Sequence, residues 1–368
     1  MAHIVVIGGG LAGLAAAAAL GGDGHQVDIL EAKPFAGGRA ASYEVPGLDA
    51  GHSIDNCQHI LLRCCVNLLD FYSRLGVSEA IEFHPRINFI EPGGRVSTMQ
   101  AGALPAPLHF TGSFASLKFL SLADKFAVAR ALLALRRERR RTDLDTISML
   151  DWLRDKRQTR GAIERFWHPV LVSAINEDLG RMAAAHGFQV FWLGFLAAKT
   201  SYEMGIPRVP LSQLYSDRHW SAMPGVRFHF KAPVTAIQAS GNVVTGVECV
   251  GRSISADHYI SALPSDRLAL LAPQLPIEWS RFEPSPITGI HLWFDRPVTS
   301  LPHGSLLDRT IQWFFNKQDG RYLQLVVSAS RTLLKMSKSR SEEQTSELQS
   351  TTTISDAVFS LQKQHKTP

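Results

Sequence analysis

The chain has 368 residues, 45% of them hydrophobic, which is enough to bury a sizeable core and to form two interleaved domains. Its formal net charge is +5, and the excess of basic residues is concentrated in one part of the chain, residues 136–141. Four cysteines without the paired spacing of a metal site argue against a disulfide framework and fit a reducing cytoplasm, and no apolar run has the length and purity of a transmembrane helix.

The N-terminal segment has the pattern of strand, glycine turn, helix and strand. Residues 4–7 are apolar and predict a strand, residues 14–20 predict an alanine-rich helix, and residues 25–30 predict a second strand. This order is the layout of a dinucleotide-binding βαβ unit when the turn holds spaced glycines and the second strand ends in an acid.

Three glycines and one carboxylate supply the chemistry that such a unit needs. Gly8 makes the tight turn, Gly10 lets the backbone approach a pyrophosphate, and Gly13 allows the helix to pack closely on the strand. The helix N-terminus then offers N–H groups and a positive dipole to the phosphates. Glu31 can accept hydrogen bonds from both ribose hydroxyls, which favours FAD or NAD over a 2′-phosphorylated cofactor.

A second glycine motif distinguishes FAD from NAD. Gly37, Gly38, Arg39 and Ala40 follow Glu31 after a short loop, and the pattern resembles the second signature of the flavin amine oxidase and phytoene desaturase superfamily. The resemblance implies that Gly38 and Arg39 run along the ribose and pyrophosphate of FAD. Considered alone, Arg39 is a solvated loop arginine, whereas the composite pattern favours contact with the cofactor.

A polar segment over residues 49–59 contains Gly51 and two histidines, His52 and His59, and precedes an apolar helix predicted over residues 60–75. Such a segment, returning to the nucleotide fold after an excursion, is expected to line the flavin. The alternative is that each histidine is an ordinary capping or core residue.

A predicted helix over residues 117–135 ends in a cluster of arginines. Its apolar residues recur at helical spacing, with Lys118, Lys125 and Arg130 between them. Two interpretations stay open: an interfacial helix that rests on an anionic membrane, and a core helix that ends in a solvated basic turn. Nucleic-acid binding is disfavoured because the cluster lacks interleaved aromatic residues. The cluster consists of Arg136, Arg137, Arg139, Arg140 and Arg141.

Two later segments, residues 166–178 and 188–196, carry aromatic and aliphatic side chains at helical spacing. They suit either the wall of an apolar substrate tunnel or a plain hydrophobic core.

From residue 226 the chain returns to a β pattern. Strands are predicted over residues 226–230, 232–237 and 243–250, and residues 258–264 end a further strand in a turn. The superfamily resemblance implies that the backbone at Val234 meets the adenine. A second sheet, in the substrate domain, is predicted from residues 287–295 and 311–315.

Beyond the superfamily, the chain resembles hydroxysqualene dehydroxylase, a family of squalene-associated flavoenzymes of bacterial hopanoid pathways. The resemblance runs from residue 2 to about residue 337. One departure is Arg63, where the family pattern has a glycine before a cysteine pair. The resemblance is carried by IDNCQH (residues 54–59), PAPLH (105–109), FWHP (166–169), SAINE (173–177), GIPRVPL (205–211) and HLWFDRP (291–297).

That resemblance implies reductive removal of the hydroxyl group from hydroxysqualene, a hydrophobic triterpenoid, with reduced FAD as the hydride source. The candidates for the acid that assists the leaving hydroxyl are His52, His59 and His168, and the sequence does not select among them. Three alternatives differ in class: a carotenoid or phytoene-type desaturase that runs the flavin oxidatively, a flavin amine oxidase with an aromatic cage, and an inactive fragment.

These observations predict an α/β fold in which a Rossmann-type, glutathione-reductase-like FAD-binding domain is interleaved with a substrate domain of mixed sheet and helices. We expect an FAD-binding segment over 1–75, a mostly helical region facing substrate or membrane over 76–222, a return to the FAD-binding domain over 223–270, and a substrate-domain sheet over 271–338. We expect a cytoplasmic protein, peripheral on the inner face of the membrane if the membrane interpretation holds.

Residues 339–368 are predicted to be an artefactual, disordered tail. Residues 340–350 resemble the in-frame translation of a short-read sequencing adapter, and residues 354–361 resemble its continuation. The alternative is a natural disordered tail rich in serine, threonine and glutamine. On the adapter interpretation, the chain is C-terminally truncated before the Gly-Asp segment that the superfamily resemblance implies, and FAD would bind poorly or not at all.

Overall fold

The computed structural model describes residues 1–44, 53–241, 243–334 and 358–363 of the chain. The chain divides into two compact units, each assembled from separate stretches of sequence. The predicted interleaving of two domains is therefore present. The first unit consists of Met1–His59, Cys65–Glu82 and Ile206–Pro284, and the second consists of Ile60–Cys64, Phe83–Gly205 and Ser285–Pro368.

The described strands and helices are numbered here in chain order. The strands are β1 His3–Ile7, β2 Gln26–Leu30, β3 Ser42–Glu44, β4 Ser53–Asp55, β5 Leu61–Leu62, β6 Ile81–His84, β7 Ile87–Ile90, β8 Val96–Met99, β9 Met204–Pro207, β10 Val226–His229, β11 Val234–Ser240, β12 Val243–Cys249, β13 Arg252–Ile254, β14 His258–Ser261, β15 Thr288–Trp293, β16 His303–Leu306, β17 Trp313–Asn316, β18 Tyr322–Val327 and β19 Val358–Lys363. The helices are α1 Leu11–Gly22, α2 Val66–Arg74, α3 Thr111–Ser116, α4 Leu122–Glu138, α5 Met149–Asp155, α6 Arg160–Ala162, α7 His168–Ile175, α8 Ala184–Phe191, α9 Leu211–Leu214, α10 Ser265–Leu271 and α11 Arg331–Leu334, with π-helical turns at Ile163–Trp167 and Trp192–Leu196. Among the described residues, no helix has both the length and the apolar content that crossing a bilayer requires.

The first unit is built on a parallel sheet with the strand order β10-β2-β1-β14. Parallel neighbours need a crossover connection, and α1 supplies it between β1 and β2. The helix buries Gly13, Leu14, Ala17 and Ala18. Three of these four residues are glycine or alanine, and their small size allows the helix to approach the sheet closely. The predicted βαβ unit is thereby confirmed.

A small antiparallel sheet, β11-β12-β13, completes the core of the first unit. Its buried residues Val247 and Cys249 pack with Val5, Ile7 and Leu30 of the parallel sheet. The strands that the sequence predicts from residue 226 onwards are present as β10, β11, β12 and β14, with ends shifted by a few residues.

The second unit contains a seven-stranded sheet with the order β19-β15-β18-β17-β16-β7-β8. Neighbouring strands are antiparallel except for β16 and β7, which are parallel. The sequence predicted β15 and β17 but did not identify β16 or β18, and it missed β7 and β8, which join the sheet from a distant part of the chain. The core on one face of this sheet contains Ile290, Leu292, Phe314, Leu323 and Leu325.

The helix predicted over residues 60–75 is wrong in its first half. Leu61 and Leu62 instead form β5 and pair with Gly205 and Met204 of β9, and the helix begins only at Val66. Long-range pairing overrides the local helical pattern here, as it commonly does for short apolar runs.

Arg63, the departure from the family pattern, lies in this stretch of the second unit. Its Nε donates a hydrogen bond to the Glu203 carboxylate at 2.7 Å, and its guanidinium lies 3.8 Å from the centre of the Phe83 ring. The arginine is therefore accommodated by an ion pair and a cation–π contact.

Helix α4 starts at Leu122, later than the predicted residue 117. A capping box sets this start: the Ser121 hydroxyl accepts a hydrogen bond from the Asp124 backbone N–H at 3.2 Å, and the Asp124 carboxylate accepts one from the Ser121 N–H at 2.9 Å. The preceding Leu117 is buried in the segment that leads into the helix.

The predicted disorder of the tail is wrong for residues 358–363. These residues form β19, which pairs antiparallel with β15 from Thr288 to Trp293. The rest of the predicted tail lies outside the described residues, as does residue 338. The physical reason for the pairing is the edge of β15, whose main-chain groups on the side away from β18 accept a further strand.

Candidate cofactor and substrate sites

The glycine turn after β1 has a backbone that only glycine can supply. Gly8 has φ of +104°, and its N–H donates to the Leu30 carbonyl oxygen at 2.9 Å. A Cβ atom on Gly13 would lie 2.0 Å from the Gly8 carbonyl oxygen, a distance that real Cβ atoms essentially never show. The first turn of α1 is therefore pressed against the glycine turn, as the sequence predicts.

The second glycine motif packs directly on the first. The Gly37 N–H donates to the Gly9 carbonyl oxygen at 2.8 Å, and a Cβ on Gly38 would lie 2.9 Å from the Gly10 Cα. Gly37 and Gly38 both have positive φ, at 103° and 63°. The two motifs thus form one backbone cradle, here called the glycine cradle, from Gly8–Gly10 and Gly37–Gly38.

This cradle fits the pyrophosphate of a dinucleotide. A Cβ on Gly10 would meet only the Gly38 Cα, at 3.9 Å, so the space above Gly10 is open. Gly10 is the N-cap of α1, no side chain caps the helix, and its first turn has no acidic residue. The N–H groups and positive dipole at this helix start therefore face an open, glycine-lined space, which is what a phosphate group requires.

Glu31 is buried at the end of β2 and is held firmly by the backbone around it. One carboxylate oxygen accepts the Gly9 N–H at 2.7 Å and the other accepts the Lys33 N–H at 2.8 Å. A carboxylate has about four acceptor positions, so two of them are left for the hydroxyls of a ribose. The position beside the glycine cradle agrees with the ribose-binding role that the sequence predicts.

Arg39 and Val234 lie near the same cradle in the first unit. The Arg39 side chain is exposed, and its carbonyl oxygen accepts a hydrogen bond from the Asn56 side chain at 2.8 Å. Val234 begins β11 and is half-buried, and the Ala232 N–H just before it donates to the Glu31 carbonyl oxygen at 2.9 Å. The chain around Val234 therefore runs beside Glu31, where an adenosine would extend from the pyrophosphate.

Two further groups close the cradle, and one of them was missed from the sequence. The Ala262 N–H donates to the Ile7 carbonyl oxygen at 2.9 Å, so the predicted turn after β14 lies against Gly8. The Lys33 ammonium donates to the Gly38 carbonyl oxygen at 3.2 Å. Lys33 lies between the two motifs in the sequence and belongs to neither. Its position at the cradle therefore becomes apparent only once the two glycine loops are seen in contact.

Two of the three candidate histidines lie within the described residues, and they belong to different units. His52 lies outside the described residues, as does Gly51 of the same segment. His59 is half-buried and belongs to the first unit, whereas His168 is the first residue of α7 in the second unit. Burial lowers the pKa of His168, which favours its neutral form at neutral pH and disfavours a role as a stored proton donor.

The second unit contains an apolar cavity that opens to the surface and has a volume of about 490 Å³. Its wall comes from α3, α4 and both π-helical turns, so the aromatic segments that admitted two interpretations do line a cavity. The only polar or charged side chains among the lining residues are Thr111, Lys125 and Arg136. Its inner wall includes Phe110, Phe114, Leu132, Phe166, Phe191 and Phe195.

One buried histidine of the second unit was missed because no local pattern marks it. His303 in β16 is fully buried, and within the described part of the chain neither ring nitrogen has a hydrogen-bond partner. Burial, and secondarily the nearby His84, lowers the pKa of His303 to about 4. Its neutral ring lies among Trp313 and Phe315, with ring centres 6.1 and 6.4 Å away.

Comparison with known families agrees with the geometry of the glycine cradle. The model of the family described as "flavin containing amine oxidoreductase" matches residues 11–353. The match begins just after Gly8–Gly10 and includes Gly13, the second glycine motif, Glu31 and Val234.

Curated relatives include two carotene desaturases. The chain is 28% identical over 340 residues to zeta-carotene desaturase of Zea mays, covering 81% of this chain and 57% of that protein. It is 28% identical over 330 residues to a probable zeta-carotene desaturase of Synechococcus elongatus, covering 81% of this chain and 67% of that protein. The chain thus spans little more than half the length of the maize relative.

The fold also matches that of solved proteins. An oxidoreductase from Methanosarcina mazei aligns with a TM-score of 0.74 at 20% identity, covering 99% of this chain and 88% of the other. The predicted α/β fold, with a nucleotide-binding domain interleaved with a second domain, is thereby confirmed. The chain belongs to the flavin containing amine oxidoreductase family, and FAD, the cofactor predicted from its sequence, is the cofactor of that family.

Proposed function

We propose that the protein is an FAD-dependent oxidoreductase acting on long isoprenoid hydrocarbons, and that its reaction is the reductive dehydroxylation of hydroxysqualene to squalene. The observation that carries the proposal is the apolar cavity of the second unit. Binding of an apolar chain in a cavity of about 490 Å³ walled by phenylalanine and leucine is favoured by the hydrophobic effect. The same wall offers few hydrogen-bond partners to a polar substrate.

The charges at this cavity argue against an amine substrate. The charged side chains among its lining residues, Lys125 and Arg136, are both cations, and no acidic residue lines it. A cationic amine would be repelled here and would find no carboxylate to pair with. This supports an isoprenoid substrate over the amine oxidase alternative.

The choice of hydroxysqualene rests on sequence segments that lie at the cavity. Pro107 and Leu108 belong to the PAPLH segment and Phe166 to the FWHP segment, and all three line the cavity. Both segments carry the resemblance to hydroxysqualene dehydroxylase. Segments typical of that family therefore contribute to the surface that would hold the substrate.

The proposed reaction replaces a C–O bond by a C–H bond. The substrate gains a hydride and loses its hydroxyl group, which takes up one proton and leaves as water. Bound FAD in its reduced form would supply the hydride, and a two-electron donor such as a reduced nicotinamide would restore that form. The part of the chain is to bind the hydrocarbon and keep water from the allylic carbon, for which the phenylalanine wall is suited.

A carotenoid desaturase is the second candidate, and the curated relatives favour it. Both proteins compared above are named zeta-carotene desaturases. That reaction runs in the opposite direction: the hydrocarbon loses two hydrogens and the flavin gains two electrons. The same apolar cavity would serve either substrate.

Product analysis tests the proposal. The FAD-loaded chain is incubated with hydroxysqualene and a reduced nicotinamide, and separately with zeta-carotene or phytoene under oxidising conditions, and the extracts are analysed by mass spectrometry. Squalene in the first reaction is the expected result. A desaturated carotenoid without squalene would establish the second candidate. Turnover of a soluble amine, or no hydrocarbon product from flavin-loaded protein, would refute the isoprenoid assignment.

A further inference from the structure

Helix α4 has two apolar faces, and only one of them packs against the protein. Ala127, Val128, Ala131 and Leu135 are buried. On the other side, Leu122, Phe126 and Leu133 are 73%, 75% and 57% exposed. Exposed leucine and phenylalanine at this density mark an interaction surface rather than ordinary surface variation.

These exposed side chains form the edge of the apolar cavity. Leu122, Phe126 and Leu133 line it together with Leu108, which is 57% exposed and precedes α3. Leu108, Leu122, Phe126 and Leu133 are called the apolar rim below. An opening surrounded by apolar side chains is unfavourable in water, because both the rim and the cavity entrance are left hydrated.

Positive charge adjoins the apolar rim at the end of α4. Arg136, Arg137 and Arg140 are exposed, and within the described residues the ion pairs near the end of α4 are made by Arg141 and Lys156 instead. The other two arginines of the cluster have partners: Arg139 stacks on Trp192 at 4.3 Å, and Arg141 pairs with Asp143 at 2.7 Å.

The acidic residues of α4 do not offset this charge. Asp124 serves the N-terminal capping box, and Glu138 is occupied by the Lys156 ammonium at 2.6 Å and by Arg141 at 2.9 Å. Arg136, Arg137 and Arg140 therefore keep their positive charge next to the apolar rim. This combination of apolar side chains and adjacent arginines matches the interior and headgroup regions of an anionic bilayer.

We propose that α4 and the apolar rim dock on an anionic membrane surface, with Leu122, Phe126 and Leu133 entering the acyl region and Arg136, Arg137 and Arg140 meeting the headgroups. A second copy of the chain fits less well. Parallel pairing of the two α4 helices would bring the arginine clusters together, and antiparallel pairing would place each cluster against the start of the other helix, where the carboxylate of Asp124 already serves the capping box. On the membrane, the cavity opens toward the phase in which long hydrocarbons dissolve. The docking itself does not depend on which hydrocarbon the protein converts.

Vesicle co-sedimentation tests this docking surface directly. The whole chain is sedimented with vesicles of phosphatidylcholine alone and with vesicles of equal parts phosphatidylcholine and phosphatidylglycerol. We expect binding to the anionic vesicles and weaker binding to the neutral ones. The Leu122→Ser/Phe126→Ser double variant should lose about tenfold in partitioning to both. The Arg136→Gln/Arg137→Gln/Arg140→Gln variant should lose the preference for anionic vesicles.

A matched control separates docking from general surface hydrophobicity. Leu270 in α10 of the first unit is 73% exposed, the same fraction as Leu122, and Leu270→Ser should bind vesicles like the unchanged chain. Far-ultraviolet circular dichroism confirms that each variant is folded. The proposal is overturned if the unchanged chain ignores anionic vesicles, or if the Leu122/Phe126 variant binds them normally. It is also overturned if sedimentation velocity shows a dimer that the same variant abolishes.

Discussion

Replacing Gly13 by alanine tests whether α1 must touch the glycine turn for the cofactor site to form. The new Cβ would lie 2.0 Å from the Gly8 carbonyl oxygen and 3.2 Å from a methyl carbon of Val6. Since real Cβ contacts essentially never fall under 3.0 Å, the helix start and Gly8 would have to separate by about 1 Å. That movement would widen the space in which the pyrophosphate is expected to bind.

Two opposing effects set the stability of this variant. Alanine is a better helix former than glycine by about 1 kcal/mol. Overpacking against a backbone atom, which cannot rotate away, costs about 1–3 kcal/mol. Gly112 in α3 provides a matched control, because a Cβ there would meet nothing within 4 Å. The free energy of unfolding of Gly13→Ala should therefore lie about 1–3 kcal/mol below that of Gly112→Ala.

Urea unfolding of both variants measures this difference, and a titration followed by flavin fluorescence measures the affinity for FAD. We expect Gly13→Ala to bind FAD about tenfold or more weakly, because a displacement of about 1 Å disturbs every N–H group at the helix start. Gly112→Ala should bind FAD normally. Equal stability of the two variants, with normal FAD affinity in Gly13→Ala, would refute the close packing of α1 on the glycine turn.

Three further changes test other parts of the molecule. Glu31→Ala removes the acceptor of two backbone N–H groups beside the glycine cradle, and the same titration should show FAD affinity reduced about tenfold. Arg63→Gly removes the ion pair with Glu203 and the contact with Phe83, and urea unfolding should show a loss of about 1 kcal/mol. Because burial lowers the pKa of His303 from its ordinary 6.5 to about 4, the unfolded chain binds a proton in that window that the folded chain does not. The free energy of unfolding should fall by about 3 kcal/mol between pH 6.5 and 4, and His303→Phe should remove that part of the slope.

The glycine cradle could be predicted because its geometry is encoded by neighbouring residues. Gly8 and Gly13 act within one turn, and Gly38 lies a short loop beyond Glu31. Such positions leave a local mark, since glycine adopts a positive φ without strain and, lacking a Cβ atom, tolerates a backbone approach that a Cβ would bring under 3 Å. The strand, helix and strand around them have strong hydrophobic patterns, and the structure agrees with the sequence there.

Features built from distant residues could not be predicted in the same way. The Asn88 side chain donates a hydrogen bond to the His303 carbonyl oxygen, and the two residues are 215 positions apart in the sequence. No local sequence pattern near either residue indicates that β7 and β16 are neighbouring strands. The cavity likewise combines α3 and α4 with segments near Phe166 and Phe195. Arg63 departs from the family pattern, and the carboxylate that accommodates it, Glu203, lies 140 positions away, beyond the reach of any local pattern.

Helix α4 shows why the sequence left two interpretations open. Its apolar residues are numerous enough for a core helix and an interfacial helix, and each interpretation describes one face. Ala127 and Val128 are buried, as the first interpretation requires, while Leu122 and Phe126 on the opposite side are exposed, which leaves the second as a proposal. A helical pattern identifies which residues share a face but not what covers that face, and only the packed structure distinguishes them.

Strand β19 reflects a property of the sheet rather than of the tail. β18 covers one side of β15, and the opposite side, if left open, would present a row of unpaired N–H and C=O groups. Residues 358–363 pair with that side along the whole of β15. Main-chain pairing requires no particular side chains. An adapter-derived segment and a natural segment can therefore pair with the edge of β15 equally well. The strand therefore carries no information about the origin of the tail, whereas sequencing the source locus across the codon for residue 338 distinguishes the two directly.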